Sequence, residues 1–87
     1  MCTMITSSAP IRAMGKGPDG WFPVNRVAVG YDHPTHSAVE HALLIDFTNY
    51  DLGLHARAAL ELDLDSGRAL LAQLRSAIEQ AEASGLH

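Results

Sequence analysis

Eighty-seven residues with 47% hydrophobic and 18% charged side chains suffice for one folded domain and leave no room for a second core. The formal charge is −4 and the six basic residues are scattered from Arg12 to Arg75, which excludes a phosphate-binding surface and, with it, nucleic acid as a partner. No stretch nears the roughly 18 apolar residues of a membrane span, and a single cysteine, Cys2, excludes an internal disulfide framework.

The first ten residues, "MCTMITSSAP", lack the basic and apolar segments of a secretion signal, so a cytoplasmic location is expected. "SAPIRAMG" (8–15) has weak strand character. "GKGPDG" then gathers glycine, proline and aspartate, the chemistry of a tight turn. "WFPVNRVAVGYDH" (21–33) alternates as a strand, with Val27, Val29, Tyr31 and His33 on one side and Val24, Arg26, Ala28 and Gly30 on the other. The proline of "DHP" keeps His33 extended as a polar loop begins. "EHALLIDFTN" (40–49) is a second clear strand, with His41, Leu43, Ile45 and Phe47 sharing a face. After the turn "YDLG", "LHARAALELD" (54–63) alternates again, placing Ala56, Ala58, Leu60 and Leu62 together.

From Leu64 to about Ser84 the period changes. Leu70, Leu71, Leu74, Ala77, Ile78 and Ala81 form a helical stripe, with Asp63 as N-cap and Gly85 as stop. The order β-β-β-β-α, with short connections, implies an antiparallel four-stranded sheet with one C-terminal helix packed on its face, an α+β two-layer sandwich. The outer sheet face (Ala28, Ala42, Leu44, Ala59) is too apolar for water. It favours pairing with a second copy, so a homodimer or higher oligomer is expected.

Three of the five histidines fall in "YDHPTHSAVEH" (31–41). By alternation His33 and His41 lie on the core side at the ends of two neighbouring strands, and His36 lies between them in the loop. A buried imidazole needs a partner, because an unpaired polar group costs on the order of 1–3 kcal/mol. A metal held by several such nitrogens satisfies them together, whereas hydrogen bonds to Asp32, Glu40 or backbone do so one at a time. The spacing H-x2-H-x4-H matches neither a zinc finger nor H-E-x-x-H. Cys2 adds a thiolate; if Met1 is removed, a free α-amine stands beside it. The cysteine is open to three roles: ligand, nucleophile, or a merely terminal residue.

The expected site is therefore a transition-metal centre drawn from Cys2, His33, His36 and His41. Zn²⁺ is the first choice and iron or copper come next. Glu40 or Asp32 would act as general base or orient a ligand if the protein is an enzyme. The rival is a metal-free oligomeric protein that binds a small molecule, or an accessory protein, with hydrogen-bonded histidines and a pocket formed by Lys16, Trp21 and Tyr31. "GKGPDGWF" is not a P-loop; it is either an anion-binding turn or a turn that presents Trp21 and Phe22.

With "MCT", "KGPDGWF" and "DHPTHSAVEH" set out, the chain resembles a family of small uncharacterised, mostly actinobacterial proteins of unknown function. Their pattern is Met-Cys-Thr, K-G-x-x-G-W-F, D-H-P-x-H-x-x-x-E-H and an "ARAALELD…SGRALL"-like ending, and the likeness spans nearly the whole sequence. The resemblance supplies no reaction. It implies that Cys2, Lys16, Trp21, His33, His36, Glu40 and His41 belong to one recurring pattern.

Overall fold

Alternation of period two, interrupted by turn residues and then replaced by a helical stripe, becomes four strands and a helix in the computed structural model of the chain. These are β1 (Ile5–Gly17), β2 (Gly20–Asp32), β3 (Ala42–Thr48), β4 (Arg57–Leu62) and α1 (Leu64–Ser84), with a single 3₁₀ turn at Tyr50–Leu52. The structure describes residues 5–85. The strands form one open antiparallel sheet in the order β1-β2-β3-β4, the α+β class implied by the alternation.

Register follows the apolar residues. Val27 pairs with Phe47, Val29 with Ile45 and Tyr31 with Leu43; Ile45 and Leu43 in turn face Leu60 and Leu62. A slip by one residue would turn this whole set to the other face, which is why the register is well specified. The β1–β2 ladder shifts between Pro10 and Ala13, where Ile11 and Arg12 stand opposite Asn25 alone. A bulge on an edge strand is where a proline, lacking an N–H, is tolerated.

The helix starts as its sequence dictates. Asp63 accepts the Ser66 amide at 2.7 Å, and this bond holds its carboxyl below the usual range. Gly85 closes the other end with φ 72°, the left-handed conformation that glycine adopts without a Cβ penalty. Contact with the sheet is confined to the first turns. At Gly67 a Cβ would meet Leu43 Cδ1 and lie 3.9 Å from Leu62 Cδ1, so only glycine allows this approach without displacement. No residue of α1 is buried, and Leu70, Leu71, Leu74 and Ile78 are 41–56% exposed.

The apolar surface is therefore distributed differently from the expectation of an exposed Ala28–Ala42–Leu44–Ala59 face. Ala42 is fully buried, Ala28 and Leu44 are half-buried, and Ala59 alone of the four is exposed. The exposure lies instead along α1 and on the opposite sheet face at Val29 and Leu60. The chain is also too extended for its mass. Its radius of gyration is 14.7 Å, against about 12 Å for a compact domain of this length. Its accessible surface is 6766 Å², against about 5,000 Å² for a compact 9.3 kDa monomer.

The buried centre is small and partly polar: Val24, Ala42 and Ala56 with Thr48 and Asn49. Asn49 ties three segments together. Its Nδ2 donates to the Pro23 carbonyl at 3.0 Å, its Oδ1 accepts from Asn25 Nδ2 at 3.2 Å, and its amide donates to the Ala56 carbonyl at 3.0 Å. Asn49→Ala removes the side-chain bonds and leaves the part-buried Pro23 carbonyl without its donor. The expected loss is about 1–3 kcal/mol, a fall in Tm of roughly 5–15 °C for a chain of this size. Asn25→Ala, at the exposed end of the same network, should cost less. Thermal unfolding of the two variants checks the order.

Candidate functional site

The loop between β2 and β3 contains no regular secondary structure to satisfy its amides, so they need other acceptors. Glu61 of β4 supplies them. Its Oε1 accepts the amides of His36 and Ser37 at 2.8 and 2.9 Å, and its Oε2 accepts the Thr35 amide and hydroxyl, both at 3.0 Å. The Thr35 amide chiefly, then the amides of His36 and Ser37 and the Thr35 hydroxyl, hold the Glu61 pKa down at about 2, against the opposing effect of burial. Hydrogen bonds to the charged form win over desolvation because the carboxylate receives four donors while retaining contact with solvent at 19% exposure.

Two imidazoles flank this anchored segment. The last rung of the β2–β3 ladder is Asp32 opposite Ala42. The next residues outward, His33 and His41, therefore stand opposite each other. Their ring centroids are 4.4 Å apart with the planes inclined at 33°, and Tyr31 stacks on His41 at 5.6 Å and 20°. His33 Nδ1 lies 3.0 Å from the Glu40 carbonyl oxygen. A carbonyl only accepts, so Nδ1 carries the proton and Nε2 is the nitrogen with a lone pair. Asp32 Oδ1 accepts the His33 amide at 2.7 Å, which steers the chain out of the strand. Within this cluster Glu40 acts through its main chain and Asp32 through a bond to backbone.

His36 takes a different course. Its Nδ1 is 2.8 Å from Thr35 Oγ1 and 3.4 Å from Glu61 Oε2, with the side chain 87% exposed. The Thr35 hydroxyl donates to Glu61 and so accepts from His36. The structure thus brings together His33, His41 and Tyr31 with the Glu40 carbonyl, and sets His36 beside Glu61. Cys2 lies outside the described residues. Among the described residues no three His, Cys, Asp or Glu side chains form a group that could hold a metal ion.

Lys16 and Trp21 pair across the β1–β2 ladder near the hairpin tip. The far end of β2 is ten residues away from Tyr31, roughly 33 Å at the rise of an antiparallel strand. Trp21, 68% exposed, borders an open hollow of about 170 Å³ with Phe22, Leu52 and His55. Of the three residues assigned to a pocket from the sequence, Tyr31 belongs with the histidines, and Lys16 and Trp21 lie at the opposite end of the sheet.

A family model for a family of unknown function, DUF6295, matches residues 1–87. The chain belongs to this family. No curated protein and no solved structure matches it. No helix among the described residues is long and apolar enough to cross a membrane.

Glu61 is the functional residue that the sequence did not single out. Alternation places it on the polar face of β4, where a glutamate needs no explanation. Only the β3–β4 register, which sets it opposite Leu44, brings it under the loop. Glu61→Gln keeps the shape but presents an NH₂ to an amide that needs an acceptor. Hydrogen exchange at Thr35, His36 and Ser37 should accelerate at least about tenfold in this variant. The sign of the pH dependence follows from the lowered pKa: the stabilisation is present above the ordinary value of 4.5 and is lost as pH falls toward about 2. Acid unfolding of the wild type should show this loss, and Glu61→Gln should remove that component.

Proposed function

We propose that the protein is a small metal-binding protein whose site is built on His33 and His41. The observation that carries this reading is the pair of imidazoles 4.4 Å apart, with Nδ1 of His33 engaged by the Glu40 carbonyl. A backbone carbonyl on Nδ1 is the arrangement that orients a ligating imidazole and leaves Nε2 to the ion. Cys2 is the third ligand in this reading. It precedes Ile5 by three residues, about 10 Å of fully extended chain, and Ile5 pairs with Tyr31, next to the two rings. A thiolate with two neutral imidazoles suits Zn²⁺ first, then iron or copper, and leaves a position open for water or a small substrate. His36 then lies outside the inner set as a neighbour through the loop, and Glu40 or Asp32 is the base if the site is catalytic.

The alternative, a metal-free oligomer that binds a small molecule in a pocket of Lys16, Trp21 and Tyr31 between protomers, has less support within one chain. Lys16 and Trp21 pair at the hairpin tip and Tyr31 lies at the other end of β2. A cytoplasmic location remains part of the proposed reading.

Elemental analysis of untagged protein tests it. The expected result is near one transition metal per chain, lost in His33→Ala/His41→Ala and weakened at least about tenfold in Cys2→Ser, because an alcohol stays protonated where a thiol ionises. Occupancy should fall on acidification, because protons compete with the metal for imidazole nitrogen and thiolate. Metal-free protein that refuses added Zn²⁺, Fe²⁺ and Cu²⁺ overturns the reading. Iodoacetamide labelling of Cys2 that is indifferent to chelator removes the cysteine from the site.

A further inference from the structure

A 21-residue helix that buries none of its own residues lacks the tertiary packing that normally stabilises an amphipathic helix. Its apolar residues follow a heptad: Leu64, Leu71 and Ile78 occupy one position, and Gly67, Leu74 and Ala81 the position three residues on. Gly67 seats the helix on its own sheet, and beyond it Leu70, Leu71, Leu74 and Ile78 remain 41–56% exposed. Leu64, Leu70, Leu71, Leu74 and Ile78 are each about half-exposed. Together they form a patch on the order of several hundred Å², the size that marks an interaction surface. Doubled by a second copy, it approaches the roughly 1,000 Å² that a specific interface requires. The chain's excess of about 1,800 Å² over a compact monomer of its mass is ample for this.

The charges beside the seam select the occupant and its direction. One flank carries Arg68, Arg75 and Glu82 at seven-residue spacing, and the other carries Leu70, Ala77 and Ser84. In an antiparallel pair centred near Leu74 each flank meets its own equivalent in reverse, so Arg68, which pairs with Asp65 at 2.7 Å in its own chain, approaches Glu82 of the other copy, twice by symmetry, while the two Arg75 side chains meet near the axis. In a parallel pair the charged flank would face the uncharged one. We infer that α1 is a dimerisation element: two copies pair through antiparallel α1 helices, with Leu71, Leu74 and Ile78 at the centre and Arg68 against Glu82 of the partner copy. The C-terminal part of each helix then lies beside the start of the other. There an open apolar cleft of about 400 Å³, lined by Val29, Tyr31, Leu43 and Leu64, is available to it. Pairing therefore covers the sheet face that α1 leaves bare and lies next to the ring of Tyr31 that stacks on His41.

Sedimentation equilibrium of the full chain at tens of micromolar tests this. The wild type should have twice the monomer mass, and Leu74→Glu should be monomeric with its strand signal retained, since Leu74 is more than half exposed in its own chain. A monomeric wild type, a larger assembly, or a Leu74→Glu protein that still dimerises overturns the inference. Direction is read from charge reversal, which leaves every apolar contact in place and works even if Leu74→Glu does not fold. Glu82→Arg should weaken the dimer by roughly threefold to tenfold, the range of two exposed ion pairs. Adding Arg68→Glu to the same chain should restore it. Equal affinity in all three proteins would point to a parallel pair or another surface and would overturn the antiparallel arrangement.

Discussion

One carboxylate organises the molecule's most unusual segment. Glu61 gathers the amides of three consecutive loop residues and the Thr35 hydroxyl. Without it those donors would need water, and the segment that follows Asp32 would have no fixed path. β4 carries Glu61 and the imidazoles stand just beyond the ends of β2 and β3, so the β2–β3 register sets His33 against His41 and the β3–β4 register sets Glu61 under the loop between them. The loop is a constrained connection, short of regular structure yet rich in non-local bonds. Such constraint is what a pair of ligating side chains needs, since a site held within a fraction of an ångström must be built on supports that are themselves locked.

Much of the fold was legible because its signals are local. Alternation from Val27 to Tyr31 and from Leu43 to Phe47 marks strands wherever they pair, Asp63 caps whatever helix follows it, and Gly85 ends it. The meeting of His33 with His41 agrees with the same alternation, which set both on the side of Tyr31 and Leu43, but His33 is exposed and not at the core as that alternation implied. What escaped the sequence was non-local. Glu61 looks like any exposed strand glutamate until the register sets it beneath residues 35–37. Asn49 looks like a turn residue until it reaches Pro23. The separation of Lys16 and Trp21 from Tyr31 follows from the length of β2, and a motif shared across a family does not imply one site.

The helix shows a further limit of pattern reading. A stripe of leucines at helical spacing states that one face seeks apolar company, but it carries no mark of whose. The stripe reads the same whether it packs on its own sheet or on another chain. Gly67 decides how much of α1 the sheet receives, and the exposure of Leu70, Leu71, Leu74 and Ile78 shows how little that is. A small chain with a partly polar buried centre gains from sharing a core, which agrees with the surface arithmetic.

The account is tested most directly by the titration of Glu61 itself. A carbon-detected NMR titration following its side-chain carboxyl should give a midpoint near 2, with the amide shifts of Thr35, His36 and Ser37 moving through the same midpoint. A midpoint near 4.5, with those amides indifferent to it, would show that the carboxylate does not hold the loop between the two histidines and would contradict the account.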